Sequence, residues 1–92
     1  MSDTYYKLNM ENFPPLQGNE VALLRAKVET GNVLNENYEL AINDSQKVYT
    51  IFEDVTTALL VAQEVIKGDK SIECVIYDKD RAVLHYLTVE NL

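Results

Sequence analysis

A single amphipathic stretch of helical length lies between segments that alternate with the period of a β-strand. It runs from about Asp54 to Lys67. Asp54 is a good N-cap residue, and Gly68 suits the left-handed position that follows a last helical turn. At about 100° per residue, one face collects most of the apolar side chains, namely Val55, Ala58, Leu59, Ala62, Val65 and Ile66. The stretch therefore predicts one helix that buries one face.

Segments with strand patterning flank this helix on both sides. Residues 21–30 alternate in period two, which favours a strand, although their Ala, Leu, Arg, Lys and Glu residues are also good helix formers. Tyr38–Ile42 and Val48–Phe52 surround the turn-forming residues 43–45, so we expect them to form a hairpin. Two further strands, Ile72–Tyr77 and Ala82–Thr88, are predicted after the helix.

Strands grouped around one helix predict an α+β fold. We expect a small antiparallel or mixed sheet of about five strands, with one helix (about 54–67) packed on one face. Residues 1–18 are predicted to be an N-terminal arm, because Pro14-Pro15 forces an extended backbone there. Within the arm, Tyr5–Leu8 could form a short strand. Residues 19–92 are predicted to be a single domain.

The charge balance narrows the classes of partner. Fifteen acidic residues oppose eight Lys and Arg, which gives a net charge of −7. Direct nucleic-acid binding is therefore disfavoured, because it usually requires Lys and Arg to neutralise phosphates. The charge is explained either by solubility or by an acidic face that meets a basic partner.

Cysteine usage and hydropathy indicate the compartment. Cys74 is the only cysteine, so no internal disulfide can form, which fits a reducing cytoplasm. The N-terminus does not resemble a signal peptide, and no apolar run approaches the roughly 20 residues that span a bilayer. We expect a cytoplasmic protein without membrane contact, and small size with many asparagines favours a bacterial or phage source.

No group of residues has the composition of a catalytic, metal or cofactor site. Cys74 and His85 lie on adjacent predicted strands, but the acidic neighbours Glu73 and Asp78 oppose an activated thiol. Asp78 and Asp80 at a turn are too few for a calcium loop, and no glycine-rich phosphate loop is present. We expect no enzyme activity and no cofactor. An enzyme with Cys74 as nucleophile is the least favoured class, behind a binding protein and a self-associating structural domain.

The face of the predicted sheet that lies opposite the helix, the far face, also carries apolar residues. Val75 and Tyr77 alternate with the helix-facing positions of their strand, and Tyr49 is a further candidate for the far face. Three covers are possible for this face: the N-terminal arm, a second copy of the chain, or a different protein. Leu60 is a separate exception, since it projects from the polar side of the helix with Val61 beside it.

These observations predict a small, acidic, non-enzymatic protein-binding or regulatory domain, for example one that neutralises a basic partner such as a toxin or nuclease. A self-associating structural domain without ligand chemistry is the alternative. The predicted protein-binding residues are Leu60, Val61, Tyr49, Val75 and Tyr77.

Overall fold

The structure is a computed structural model that describes residues 13–41 and 47–92. Within these residues, five strands form one antiparallel sheet, and one α-helix packs against it. The elements are β1 (Val21–Lys27), β2 (Val33–Leu34), β3 (Tyr49–Phe52), α1 (Val55–Gly68), β4 (Ile72–Tyr77) and β5 (Val83–Leu87), followed by a 3₁₀ turn (Val89–Asn91). The predicted α+β class is confirmed.

β1 is the central strand of the sheet. It pairs with β4 along one edge, with Leu24 opposite Val75, while β2 and β3 share its other edge. The strand order is β2-β1-β4-β5. Six of the seven residues of β1 are buried, because both faces of the sheet are covered at this point. The choice of strand over helix is thus confirmed for Val21–Lys27.

The predicted hairpin before the helix is wrong. β3 pairs with β1 rather than with the segment that precedes it, and Leu40 forms only an isolated bridge with Leu34. The wholly apolar segment Val21–Leu24 offers β3 a buried partner, whereas the exposed Tyr38 and Leu40 do not. Ile42 and the predicted turn at residues 43–45 lie outside the described residues.

Local hydrogen bonds define both ends of α1. Asp54 is the N-cap, and its Oδ1 accepts a hydrogen bond of 2.8 Å from the Thr57 amide. Gly68 is the last helical residue rather than a left-handed residue beyond the helix, and Asp69 ends α1 in an extended conformation. None of the helices in the described part of the chain is long and apolar enough to cross a membrane.

The core between α1 and the sheet contains the predicted apolar stripe. Ala58, Ala62 and Ile66 are fully buried, whereas Val55, Leu59 and Val65 are partly buried at its margin. From the sheet, the cluster receives mainly alternate residues of β1 and β4: Val21, Leu23, Ile72, Cys74 and Ile76. Small residues at the centre of the stripe bring α1 close to the sheet.

A second apolar cluster lies on the far face of the sheet, and the last residues of the predicted arm cover it. Phe13 and Leu16 pack there. The Phe13 ring makes edge-to-face contacts with Tyr49 and Tyr77, at centroid distances of 5.1 and 5.7 Å. The described end of the arm thus covers part of the far face. The predicted strand at residues 5–8 lies outside the described residues.

Candidate protein-binding groove

An ordered loop follows β2, and the buried side chain of Asn35 organises it. Asn35 Oδ1 accepts hydrogen bonds from the amides of Asn37 (2.8 Å) and Glu39 (3.2 Å). The backbone of Asn35 also bonds to Glu39 and to Tyr38. Asparagine favours such bonds to its own following backbone, so this loop has a fixed shape.

The loop holds Tyr38 in a left-handed conformation, with φ of 65°. A side chain with a Cβ is disfavoured in this region, at a cost of about 1–3 kcal/mol, and such residues concentrate at functional sites. Tyr38 is half exposed, and its ring centroid lies 5.6 Å from the guanidinium carbon of Arg25. The left-handed backbone at Tyr38 thus occurs together with an aromatic side chain that is half exposed.

Arg25 is a buried cation beneath Tyr38 and is 3 % exposed. Its Nη1 donates to Thr50 Oγ1 at 2.9 Å, its Nη2 reaches the Val48 carbonyl at 3.5 Å, and its Nε has no partner. The ion pairs between described residues are Lys27–Asp69 and Lys67–Glu64, and neither includes this guanidinium. Burial lowers the pKa of Arg25, although a guanidinium keeps its charge at neutral pH.

An open groove runs between Tyr38 and the outer surface of α1. We call it the Tyr38 groove; it has a volume of about 460 Å³ and is lined by Tyr38, Leu60, Val61, Glu64 and Val65. A neighbouring depression shares three of these residues and extends to Gly68, Asp69 and Ile72. Leu60 is 60 % exposed, more than any other large apolar residue in the described ranges. The groove is thus apolar with an acidic margin.

The structure separates the five predicted protein-binding residues into two groups. Leu60 and Val61 lie together in the Tyr38 groove. Tyr49, Val75 and Tyr77 are at most 8 % exposed in the far-face cluster, where Phe13 and Leu16 pack against them. In this structure those three residues are therefore not accessible to a second protein.

Tyr38 is the residue of the groove that the sequence did not indicate. Its alternation with Leu40 resembles a strand, and that pattern placed it in the predicted hairpin. A signal was nevertheless present, because Asn35-Glu36-Asn37 immediately before it is typical of a side-chain-stabilised turn.

The residues considered for catalysis are not arranged for it. Cys74 is fully buried and pairs across the strands with Leu87, whereas the exposed His85 pairs with Ile76. Burial raises the pKa of Cys74 to about 11, which leaves the thiol protonated at neutral pH.

The acidic turn between β4 and β5 has a structural explanation. Asp78 Oδ1 accepts hydrogen bonds from the amides of Asp80 (2.8 Å) and Ala82 (2.9 Å). The carboxylate therefore stabilises the turn itself. In residues 13–41 and 47–92, no group of three or more His, Cys, Asp or Glu residues is placed to hold a metal ion.

Comparison of the chain with known protein families, curated proteins and solved structures finds no match.

Proposed function

We propose that this chain is a non-enzymatic binding domain that holds an apolar, positively charged segment of another protein in the Tyr38 groove. The observation that carries the proposal is the pair formed by Leu60, 60 % exposed, and Tyr38, held beside it in a strained conformation. Intramolecular packing does not require leucine at an exposed helical position. An aromatic ring and an aliphatic side chain together are typical anchors of protein interfaces.

Charge supports a basic partner. Glu64 lines the Tyr38 groove, Asp69 lines the adjoining depression, and the whole chain carries a net charge of −7. Complementary potentials speed association and exclude partners of the same sign. A basic toxin or nuclease that is neutralised by its acidic partner belongs to this class.

The binding test uses two peptides that differ only in charge. One is an amphipathic helix built from leucine and lysine, and the other has glutamate at every lysine position. Titration calorimetry measures affinity, and amide chemical shifts locate the contact. We expect the lysine peptide to bind and to shift the amides of Tyr38, Leu60 and Val61, while the glutamate peptide does not bind.

Two neutral substitutions then separate the groove from the rest of the surface. Leu60→Gln keeps helix propensity and net charge but removes the apolar anchor. Ile51→Gln makes a related change at a site that is 44 % exposed on β3. We expect Leu60→Gln to weaken binding at least about tenfold, or about 1.4 kcal/mol, and Ile51→Gln to leave it unchanged. Absence of binding, or equal losses in both variants, contradicts the proposal.

A further inference from the structure

The last residues of the arm form a strap across the far face of the sheet. We call residues 13–16 the strap; it contains Pro14 and Pro15, whose nitrogens carry no hydrogen. Two consecutive residues without an amide donor cannot continue a β-ladder, so the strap depends on its side chains to stay on the sheet. Phe13 and Leu16 pack on the far-face cluster, and both are only partly buried.

A turn fixes the strap at the end that leads into β1. The Glu20 amide donates to the Gln17 carbonyl at 3.0 Å, and the Gln17 amide donates to Glu20 Oε1 at 2.9 Å. Gly18 takes a left-handed φ of 57°, which glycine adopts without steric cost. β1 begins directly after this turn, at Val21. Opening of the strap therefore leaves the pairing of β1 with its neighbours unbroken.

Arg81 contacts the other end of the strap from the turn between β4 and β5. Its guanidinium carbon lies 5.5 Å from the centroid of the Phe13 ring, within the range of a cation–π contact. The nearby Asp78 carboxylate accepts hydrogen bonds from amides of the turn, and neither of the ion pairs between described residues includes Arg81. Phe13 is thus in contact with Arg81 as well as with Tyr49 and Tyr77 of the far face.

We infer that the strap opens and closes over the far face while the rest of the fold stays intact, and that Arg81 is the latch that keeps it closed. Segments held by a few partly buried side chains open locally at a lower free energy than the whole fold. Opening uncovers Tyr49, Val75 and Tyr77, which are at most 8 % exposed in the closed form. The residues that the sequence predicts to bind protein on this face are then accessible in the open form.

The first test follows the reactivity of tyrosines in the unmodified chain as the urea concentration is raised. Tetranitromethane modifies accessible tyrosine rings, mass spectrometry of peptides gives the initial rate at each position, and the half-exposed Tyr38 is the internal reference. Local opening exposes little surface, so its rate depends weakly on urea, whereas global unfolding exposes the whole core and depends on urea steeply. We expect Tyr49 and Tyr77 to react more slowly than Tyr38, at rates that are nearly constant below the unfolding transition. Rates that follow global unfolding over the whole range overturn the inference, and so do rates equal to that of Tyr38.

Substitutions in the turn between β4 and β5 then test the latch. Arg81→Gln and Lys79→Gln each remove one positive charge from this turn, but it is Arg81 that lies over the Phe13 ring. We expect Arg81→Gln to raise the rates at Tyr49 and Tyr77 roughly two- to fivefold, the size expected of an exposed cation–π contact, and Lys79→Gln to leave them unchanged. Arg81→Lys keeps a cation and should retain part of the protection. Equal rates in the two glutamine variants overturn the assignment of Arg81.

A double substitution shows whether Arg81 acts through the ring. Phe13→Leu keeps an apolar anchor on the far face but removes the ring, so in this background Arg81→Gln should no longer change the rates. Circular dichroism and the urea midpoint show that each variant is folded. An effect of Arg81→Gln that has full size without the Phe13 ring refutes the latch. None of these residues lines the Tyr38 groove, so that result leaves the proposed partner site unaffected.

Discussion

Replacing the buried arginine is the sharpest test of how this fold tolerates a charge in its interior. Arg25→Met keeps most of the side-chain volume and removes the guanidinium. The variant loses one charged hydrogen bond to Thr50, worth about 1.5–3 kcal/mol, and a cation–π contact with Tyr38, worth about 0.5–2 kcal/mol. The contact with the Val48 carbonyl, at 3.5 Å, adds little.

Burying the Arg25 guanidinium has free-energy costs of similar size, and Arg25→Met removes them. The unmodified chain buries a guanidinium without a carboxylate partner among the described residues, and desolvating an ion costs several kcal/mol. The unpaired Nε donor alone costs about 1–3 kcal/mol. We therefore expect Arg25→Met to be between neutral and about 2 kcal/mol more stable than the unmodified chain.

Urea unfolding followed by circular dichroism measures this difference. Arg25→Ala is the matched comparison, since it removes the same charge but leaves a cavity, and it should be less stable by about 2–5 kcal/mol. If Arg25→Met loses more than about 2 kcal/mol, the guanidinium is a net stabilising group and the reasoning from desolvation fails.

Four further predictions concern the two cores and the thiol. Ile66→Ala should cost about 2–5 kcal/mol in urea unfolding and Leu59→Ala clearly less, since Ile66 is fully buried and Leu59 only partly; equal costs would contradict this. Phe13→Ala should increase binding of a hydrophobic dye by uncovering Tyr49. Unchanged dye binding would contradict this. Cys74 should react slowly with thiol reagents until the protein is denatured. Because burial raises the Cys74 pKa from 9.0 to about 11, only the unfolded chain releases the thiol proton between these values. Stability should therefore fall as the pH rises through this range, and less so in Cys74→Ala.

Elements with a strong periodic pattern were predictable from the sequence. The stripe from Val55 to Ile66 identified the buried face of α1, and the alternation of Ile72, Cys74 and Ile76 identified the helix-facing side of β4. Leu60 was recognised as an exception to its helix and is exposed. In each case the local pattern reports directly on burial.

Features that depend on distant partners, or on which of two conflicting local patterns prevails, were not predictable in the same way. Tyr38 alternates like a strand residue, yet it lies in a turn in which Asn35 Oδ1 accepts hydrogen bonds from the amides on either side of it. The far face is apolar in sequence, and the packing of Phe13 and Leu16 in the structure shows two of the residues that cover it. The order of strands in a sheet is a property of the topology, so the place of β5 at one end of the described strands could not be identified from its composition alone.

The position of β1 in the strand order has a consequence during protein synthesis. β1 pairs with β2, β3 and β4, and its contact with β4 joins segments that are about 50 residues apart in the chain. At about 5–20 residues per second, the ribosome needs roughly 3–10 s to add β4 after β1 has been made. For that time the central strand of the sheet lacks its longest partner. β3 and α1, which are made in between, are the elements that can shelter it from aggregation until the sheet is complete.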